Sequence, residues 1–187
     1  MDHAVLNQSQ VNTLCDMFSH LVLTLNKYAI EWVATDGTLL GAIRNKGFIP
    51  YDDDIDIAIK KTSFNLLKHL EFIFTKANTY KLVRVGKYAK LKYDDLWIDI
   101  FLLDDEWGFP QQHFHNISFI EGEVYPIRKV MFGDIEINIP HKSEEYLHRI
   151  LPEWDTYAVI YNHKNKGRIK MSFKDHPELL KPFLSDN

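Results

Sequence analysis

The run Ile49-Pro50-Tyr51-Asp52-Asp53-Asp54-Ile55-Asp56-Ile57-Ala58-Ile59 constrains this chain more than any other segment. From Asp54 onward, acid and hydrophobe alternate at the period of a β-strand. Successive strand side chains point to opposite faces, so Asp54 and Asp56 share one face and Ile55, Ile57 and Ile59 the other. One face must then be buried on a core while the other presents paired carboxylates. Two carboxylates side by side repel each other unless a cation lies between them. Oxygen donors of this kind suit Mg²⁺ or Mn²⁺, which in turn hold phosphates.

Upstream, Asp36-Gly37-Thr38 is a small-residue turn after an apolar run at residues 30–34 that reads as a strand. The turn feeds a short helix, with Thr38 the expected N-cap and Gly47 the expected stop. Glycine at a strand end lets the backbone approach a phosphate, whose oxygens the first N–H groups of the helix can bind. Val11, Leu14, Phe18, Leu21, Val22, Leu25 and Tyr28 recur at helical spacing and predict an amphipathic helix over about residues 9–29. Thr62-Ser63 can cap a helix over about 63–77, with Phe64, Leu67, Leu70 and Phe74 on its inner stripe. Strands are expected at 82–85, 89–93 and 97–103, the first two joined by a hairpin at Gly86-Lys87. Residues 130–132 and 135–139 flank Gly133-Asp134, a second hairpin signal. Ser143 is expected to N-cap a short helix whose first turn carries Glu144 and Glu145. Residues 160–187 are polar and basic and read as a loop followed by a loosely packed tail.

At 187 residues the chain is long enough for a hydrophobic core and is expected to form one domain, 1–187. A formal charge of −4 argues against general attraction to nucleic acid or anionic lipid, and the acids concentrate at 52–56 and 94–106. The single cysteine, Cys15, excludes an intramolecular disulfide and a cysteine-rich zinc module, and points to a reducing, cytoplasmic setting. The expectation is a chain with no signal peptide and no membrane anchor of its own.

A third acid, Asp99, lies inside the apolar run Trp97-Ile98-Asp99-Ile100-Phe101, where burial is costly without a partner. Gly37, Thr38, Asp54, Asp56 and Asp99 therefore form the candidate catalytic constellation. The alternative is an acidic surface loop plus one strand acid paired with a lysine. Asp52 shares the face of Asp54 if the strand begins that early, while Asp53 would point the other way. Arg44 and Lys46 could clamp phosphate oxygens or be exposed cations of a short helix. Lys90 and Lys92 share a strand face, where they could counter the acids or bind a donor. The acidic run is not an EF-hand, because Ile57 stands at the sixth position and Ser63 at the twelfth. His113, His115, His141 and His148 read as surface histidines, and Trp97, Trp107 and Trp154 as core or rim residues. Tyr51 is expected to pack under the acidic strand, with stacking on a base the alternative.

In order along the chain, these motifs resemble the LicD/fukutin family. The resemblance rests on Gly37-Thr38-Leu39-Leu40-Gly41-Ala42, the basic step at 44–47, the acidic strand at 49–56, and Trp97-Ile98-Asp99-Ile100-Phe101 with Asp104 behind it. It continues in Tyr125-Pro126-Ile127-Arg128-Lys129, Phe132-Gly133, Ile139-Pro140 and Glu144-Glu145-Tyr146-Leu147, covering about residues 30–150. It implies an α+β fold of the polymerase-β-like nucleotidyltransferase type, a mixed sheet flanked by helices. It also implies a phosphotransferase that moves a phospho-alcohol, phosphocholine or ribitol phosphate, from a CDP-linked donor such as CDP-choline or CDP-ribitol to a sugar hydroxyl, releasing CMP. Acceptors of that kind include lipopolysaccharide and teichoic acid. Mg²⁺ or Mn²⁺ would sit on Asp54 and Asp56, with Asp52 in reach and Asp99 either a ligand or the general base. Gly37, Thr38, Arg44, Lys46 and Lys90 would face substrate phosphates. Transfer of NMP, or a non-catalytic role as a nucleotide- or metal-binding partner subunit, stays open beside it. The chain departs from the family pattern at Asn45, where many members have histidine, at Tyr51 in place of tryptophan, and at 150–155, where the Tyr-Gly segment is not recognisable.

Overall fold

In the computed structural model, residues 6–66, 80–85, 88–103, 119–162 and 167–182 are described. Helix α1 (Gln8–Lys27) opens with a reciprocal capping box: Gln10 N–H donates to Asn7 Oδ1 at 3.0 Å and Asn7 N–H to Gln10 Oε1 at 2.9 Å. Val11, Leu14, Phe18, Leu21, Val22 and Leu25 are buried along one stripe as the spacing predicts, whereas Tyr28 caps the helix in solvent.

Strands β1 (Trp32–Ala34), β2 (Ile55–Lys60), β3 (Lys81–Val85), β4 (Tyr88–Tyr93) and β5 (Leu96–Leu103) form a sheet in the order β1-β2-β5-β4-β3. Only the β2–β5 pair is parallel within it. A mixed sheet with flanking helices is the expected α+β class. The register sets Asp56 beside Asp99 across the parallel pair, and Lys90 on the other side of Asp99.

The sheet has two unlike faces. Trp32, Ile55, Ile57, Ile59, Leu91, Ile98 and Ile100 are buried in one cluster with the α1 stripe, and Phe18 meets Trp32 edge-on at 6.1 Å. Each such side chain contributes roughly 1.5–3 kcal/mol when taken from water. That burial fixes the opposite parity, Asp56, Asp99, Trp97 and Lys90, on the other face.

A hairpin of β6 (Arg128–Phe132) and β7 (Ile135–Ile139), turned by Gly133 at φ 57°, sends Phe132 onto Phe18 and Phe48. Helix α3 (Ser143–Ile150) follows. Its N-cap is Lys142, not Ser143, whose hydroxyl instead donates to Pro140 O at 2.6 Å. Arg149 of α3 clasps the buried Glu123 through two donors at 3.0 and 2.7 Å.

The C-terminal segment is not a loose tail. Strands β8 (Tyr157–Asn162) and β9 (Gly167–Ser172) pair antiparallel, and a 3-10 turn follows at Pro177–Leu180. Ala158, Phe173 and Leu179 make a small separate apolar cluster, and Asn45 Nδ2 donates to Leu179 O at 2.8 Å. Of the helix expected over 63–77, only a 3-10 turn at Lys61–Leu66 is described; residues 67–79 and the turn at 86–87 lie outside the described residues.

The site-bearing helix α2 (Asp36–Leu40) starts directly from β1, so its N-cap is Thr35 and not Thr38. It runs on into a π-helical turn at Gly41–Asn45, where the Lys46 N–H reaches Gly41 O. The left-handed stop is Lys46 at φ 64°, one residue before the expected Gly47. Gly41 has ordinary helical φ, and alanine there would gain about 1 kcal/mol from propensity alone. A Cβ, however, would stand 2.5 Å from Gly47 O and 3.1 Å from Ile49 Cγ1. Gly41→Ala is therefore expected to destabilise by about 2–3 kcal/mol and to lower Tm by roughly 5–10 °C. A melting curve unchanged or raised would show that this approach is not tight.

Candidate metal and catalytic centre

Thr35 and Thr38 hold Asp56 by its backbone. The Thr35 N–H donates to Asp56 O at 3.1 Å and the Asp56 N–H donates to Thr38 Oγ1 at 2.8 Å. Thr38, expected at a phosphate, is instead 3% exposed and engaged in fixing β2. The start of α2 and the strand of acids are thus a single unit.

Three carboxylates meet there. Asp54, Asp56 and Asp99 each offer an oxygen within 4.8 Å of the others, as the strand alternation and the third acid predict. Asp52 does not join this group. It forms a second group of the same span with Asp53 and Asp54. The reason is that β2 begins at Ile55, so strand alternation does not extend back to residues 52–53 and Asp53 need not point away. Among the described residues these are the groups able to hold a cation; His113 and His115 lie outside the described residues.

Gly37 lies directly against Asp52. A Cβ at Gly37 would meet Asp52 Oδ2 at 2.5 Å, so the missing side chain makes room for a carboxylate. Burial pushes Asp52 up to about 8, with Asp54 and Asp53 adding to it and the Asp53 N–H and Arg44 opposing. Burial likewise carries Asp54 to about 7, helped by Asp53 and Asp99. Asp56 is raised well above the carboxylate range by burial and then by Asp54, Asp36, Asp52 and Asp99. Asp99 is raised by burial and held back by Lys90 and Trp97. A cation beside such acids would favour their ionised form.

Lys90 Nζ lies 3.0 Å from Asp99 Oδ2, to which it donates, and 2.9 Å from Oδ1. Oδ1 is buried and accepts no hydrogen bond, because the ammonium is aligned on Oδ2. Lys90 is therefore brought to the acids, while Lys92 is exposed on the same strand. Arg44 is turned into the protein: Nε donates to Asn45 Oδ1 at 2.8 Å, one terminal nitrogen to Trp154 O at 3.2 Å, and the guanidinium covers Phe173 at 5.0 Å. Lys46 is exposed and donates to Ile43 O at 2.9 Å. Neither cation meets the Asp54–Asp56–Asp99 group through a direct hydrogen bond.

Two residues, Trp97 and Asp36, were not legible as neighbours of the acids, and a third, Tyr51, lies elsewhere than expected. Trp97, expected in the core or rim, donates its indole N–H to Asp54 Oδ2 at 3.1 Å. Asp36 lies close enough to Asp56 to raise it, and accepts the Thr35 hydroxyl at 3.1 Å. Its place one residue before Gly37 was the available signal. Tyr51 is 43% exposed at φ 73°, so it does not pack under β2.

The chain is similar to known proteins across this region. The family model "LicD/FKTN/FKRP, nucleotidyltransferase domain" matches residues 29–142, more than half of the chain. An uncharacterised protein of Rickettsia typhi is 34% identical over 184 residues, covering 88% of this chain and 55% of the relative. An uncharacterised protein of Rickettsia prowazekii is 35% identical over 181 residues, covering 88% and 65%. Lipopolysaccharide cholinephosphotransferase LicD of Haemophilus influenzae is 50% identical over 113 residues, 55% of this chain and 42% of that protein. The chain thus spans between about two fifths and two thirds of the length of these relatives. The family match covers β1, the α2 turn, the acids of β2 and β5 and the β6–β7 hairpin, and on that ground the chain belongs to the LicD/FKTN/FKRP family.

Proposed function

We propose that this chain carries a metal-dependent phosphotransferase activity that moves a phospho-alcohol from a CDP-linked donor to a sugar hydroxyl of a glycan or glycolipid. The observation that supports it most is the convergence of Asp54, just before β2, with Asp56 of β2 and Asp99 of the parallel strand β5. The name of the Haemophilus relative, a lipopolysaccharide cholinephosphotransferase, makes phosphocholine the first donor group to test and ribitol phosphate the second.

The residues present fit a hard divalent cation. All the donors are carboxylate oxygens, they repel one another when ionised, and Asp99 Oδ1 is buried without a hydrogen bond. Asp54 and Asp56 would hold Mg²⁺ or Mn²⁺, with Asp52 and Asp53 extending the acidic surface. When bound, the cation supplies charge neutralisation for the donor diphosphate. The acceptor oxygen then attacks the phosphorus that bears the alcohol, the bond from that phosphorus to the CMP oxygen breaks, and CMP leaves with the electron pair. Asp99 either takes the acceptor hydroxyl proton or serves as a third ligand. Lys90 holds that carboxylate and brings a positive charge to the same face. Among the described residues no helix is long and apolar enough to cross a membrane. We place the reaction in the cytoplasm, in keeping with the free thiol of Cys15.

The test is CMP release from CDP-choline, CDP-ribitol and CDP-glycerol with glycan acceptors, in Mg²⁺ or EDTA. The expected result is CMP from one donor, lost in EDTA. No CMP from any donor would overturn this reading in favour of NMP transfer or a binding role.

A further inference from the structure

Trp97 occupies an unusual place for a large aromatic residue. Its neighbours in sequence, Leu96 and Ile98, turn into the core, while Trp97 lies on the acidic face and is only half-buried. In the parallel register Ile98 lies opposite Ile55, which sets Trp97 level with Asp54. In the antiparallel register it lies opposite Lys92, beside Lys90. The edge and the face of one ring are both used. The indole N–H donates to Asp54 Oδ2 at 3.1 Å, and the Lys90 ammonium sits 4.8 Å from the ring centroid while bonded to Asp99.

Resting on the reading of Asp54 and Asp99 as metal-facing acids, we infer that Trp97 is a positioning residue that orients both carboxylates toward a divalent cation. Three properties suit an indole to that task. Its N–H only donates, so it binds a carboxylate without competing for the cation. It carries no charge of its own, so it adds none to the crowded acids. Its ring face stabilises an ammonium, so Lys90 is kept against Asp99 instead of swinging into solvent. Hydrogen bonds from outside a metal's ligand set fix ligand orientation, and losing one costs about 10–100-fold in affinity. A purely structural aromatic at this position would need the ring alone and not its N–H.

Phenylalanine separates the two cases, because it keeps a ring and removes the donor. Mn²⁺ binding is measured by the EPR signal of the free ion for the wild type, Trp97→Phe and the control Trp154→Phe, whose ring lies against His148 at 5.3 Å. The expected result is a Kd raised about 10-fold in Trp97→Phe, with Trp154→Phe unchanged. An unchanged Kd in folded Trp97→Phe would overturn the inference and leave the proposed function standing. Absence of Mn²⁺ binding by the wild type would overturn the underlying reading and this inference with it. Should Trp97→Phe fail to fold, the indole N–H resonance of Trp97 in the wild type decides. It is expected to shift on Mg²⁺ titration with the midpoint of metal binding, and a stationary resonance would overturn the inference.

Discussion

Without Mg²⁺ the protein is expected to melt higher at pH 5 than at pH 8, by roughly 6–12 °C. Most proteins with ionised, paired carboxylates behave in the opposite sense, so the sign is diagnostic. Burial and like-charged neighbours raise Asp52 to about 8 and Asp54 to about 7, and carry Asp56 well above its ordinary value, against 3.8 for the unpaired acid. The folded site therefore binds more protons than the unfolded chain between about pH 4 and pH 8. Stability from these groups is fully present below the unfolded value and is lost as pH rises through the folded ones. One such group loses roughly 3 kcal/mol between pH 5 and pH 8, and the total is less than additive because protonating one acid relieves its neighbours. Mg²⁺ should reverse the trend. Rising pH strips protons from the acids and readies them to ligate, and at pH 8 a cation at about 100 times its Kd restores roughly 2.7 kcal/mol. At pH 5 protons occupy the site and Mg²⁺ should change little. Thermal melts at both pH values, with and without Mg²⁺, check this. Equal melting at pH 5 and pH 8, indifferent to the metal, would mean that the carboxylates are solvated and not crowded.

How much of this site could be read from the residues depends on distance along the chain. The alternation at Asp54-Ile55-Asp56-Ile57 is local, and β2 follows it from Ile55 onward. The apolar frame around Asp99 is also local, and β5 runs through it. The meeting of Asp56 with Asp99 is not local. It needs a parallel pairing of strands far apart in sequence, and neither periodicity nor turn chemistry gives strand order. The resemblance to a family bridged that gap. Gly37 shows the same division: a need for close approach was legible, but the partner that approaches, Asp52, became visible only in three dimensions. Trp97 was hidden because an aromatic residue in a strand reads as packing until its N–H is seen on a carboxylate. The C-terminal hairpin was missed for a different reason. Arg168, Lys170 and their neighbours give it a polar composition, and it is held by a few apolar anchors, Ala158, Phe173 and Leu179, too sparse to register as a strand pattern. Asn45, a departure from the family pattern, turns out to tie that segment to the α2 turn.

Asp56→Asn is expected to reduce CMP release by more than about 10²–10³-fold while raising the melting temperature of the metal-free protein at pH 8. The two effects have one cause. Asp56 is 9% exposed, its backbone is clamped between Thr35 and Thr38, and its charge is opposed by Asp54, Asp36, Asp52 and Asp99. Asparagine keeps the shape, removes the repulsion and brings N–H donors that the neighbouring carboxylates can accept. Stability should then rise more at pH 8 than at pH 5, because burial and the neighbouring acids oppose ionisation of the wild-type group. The loss of a charged oxygen donor removes the cation and, with it, turnover. Asp99→Asn should behave otherwise, because Asp99 is paired with Lys90 at 2.9 Å and its loss leaves a half-buried ammonium without its carboxylate. That variant is expected to melt lower, not higher. Its Mn²⁺ affinity then decides the role of Asp99: affinity retained with turnover lost makes Asp99 the proton acceptor, and equal loss of both makes it a ligand. Full activity in Asp56→Asn, or a lower metal-free melting temperature at pH 8, would remove the crowded-acid account of this site.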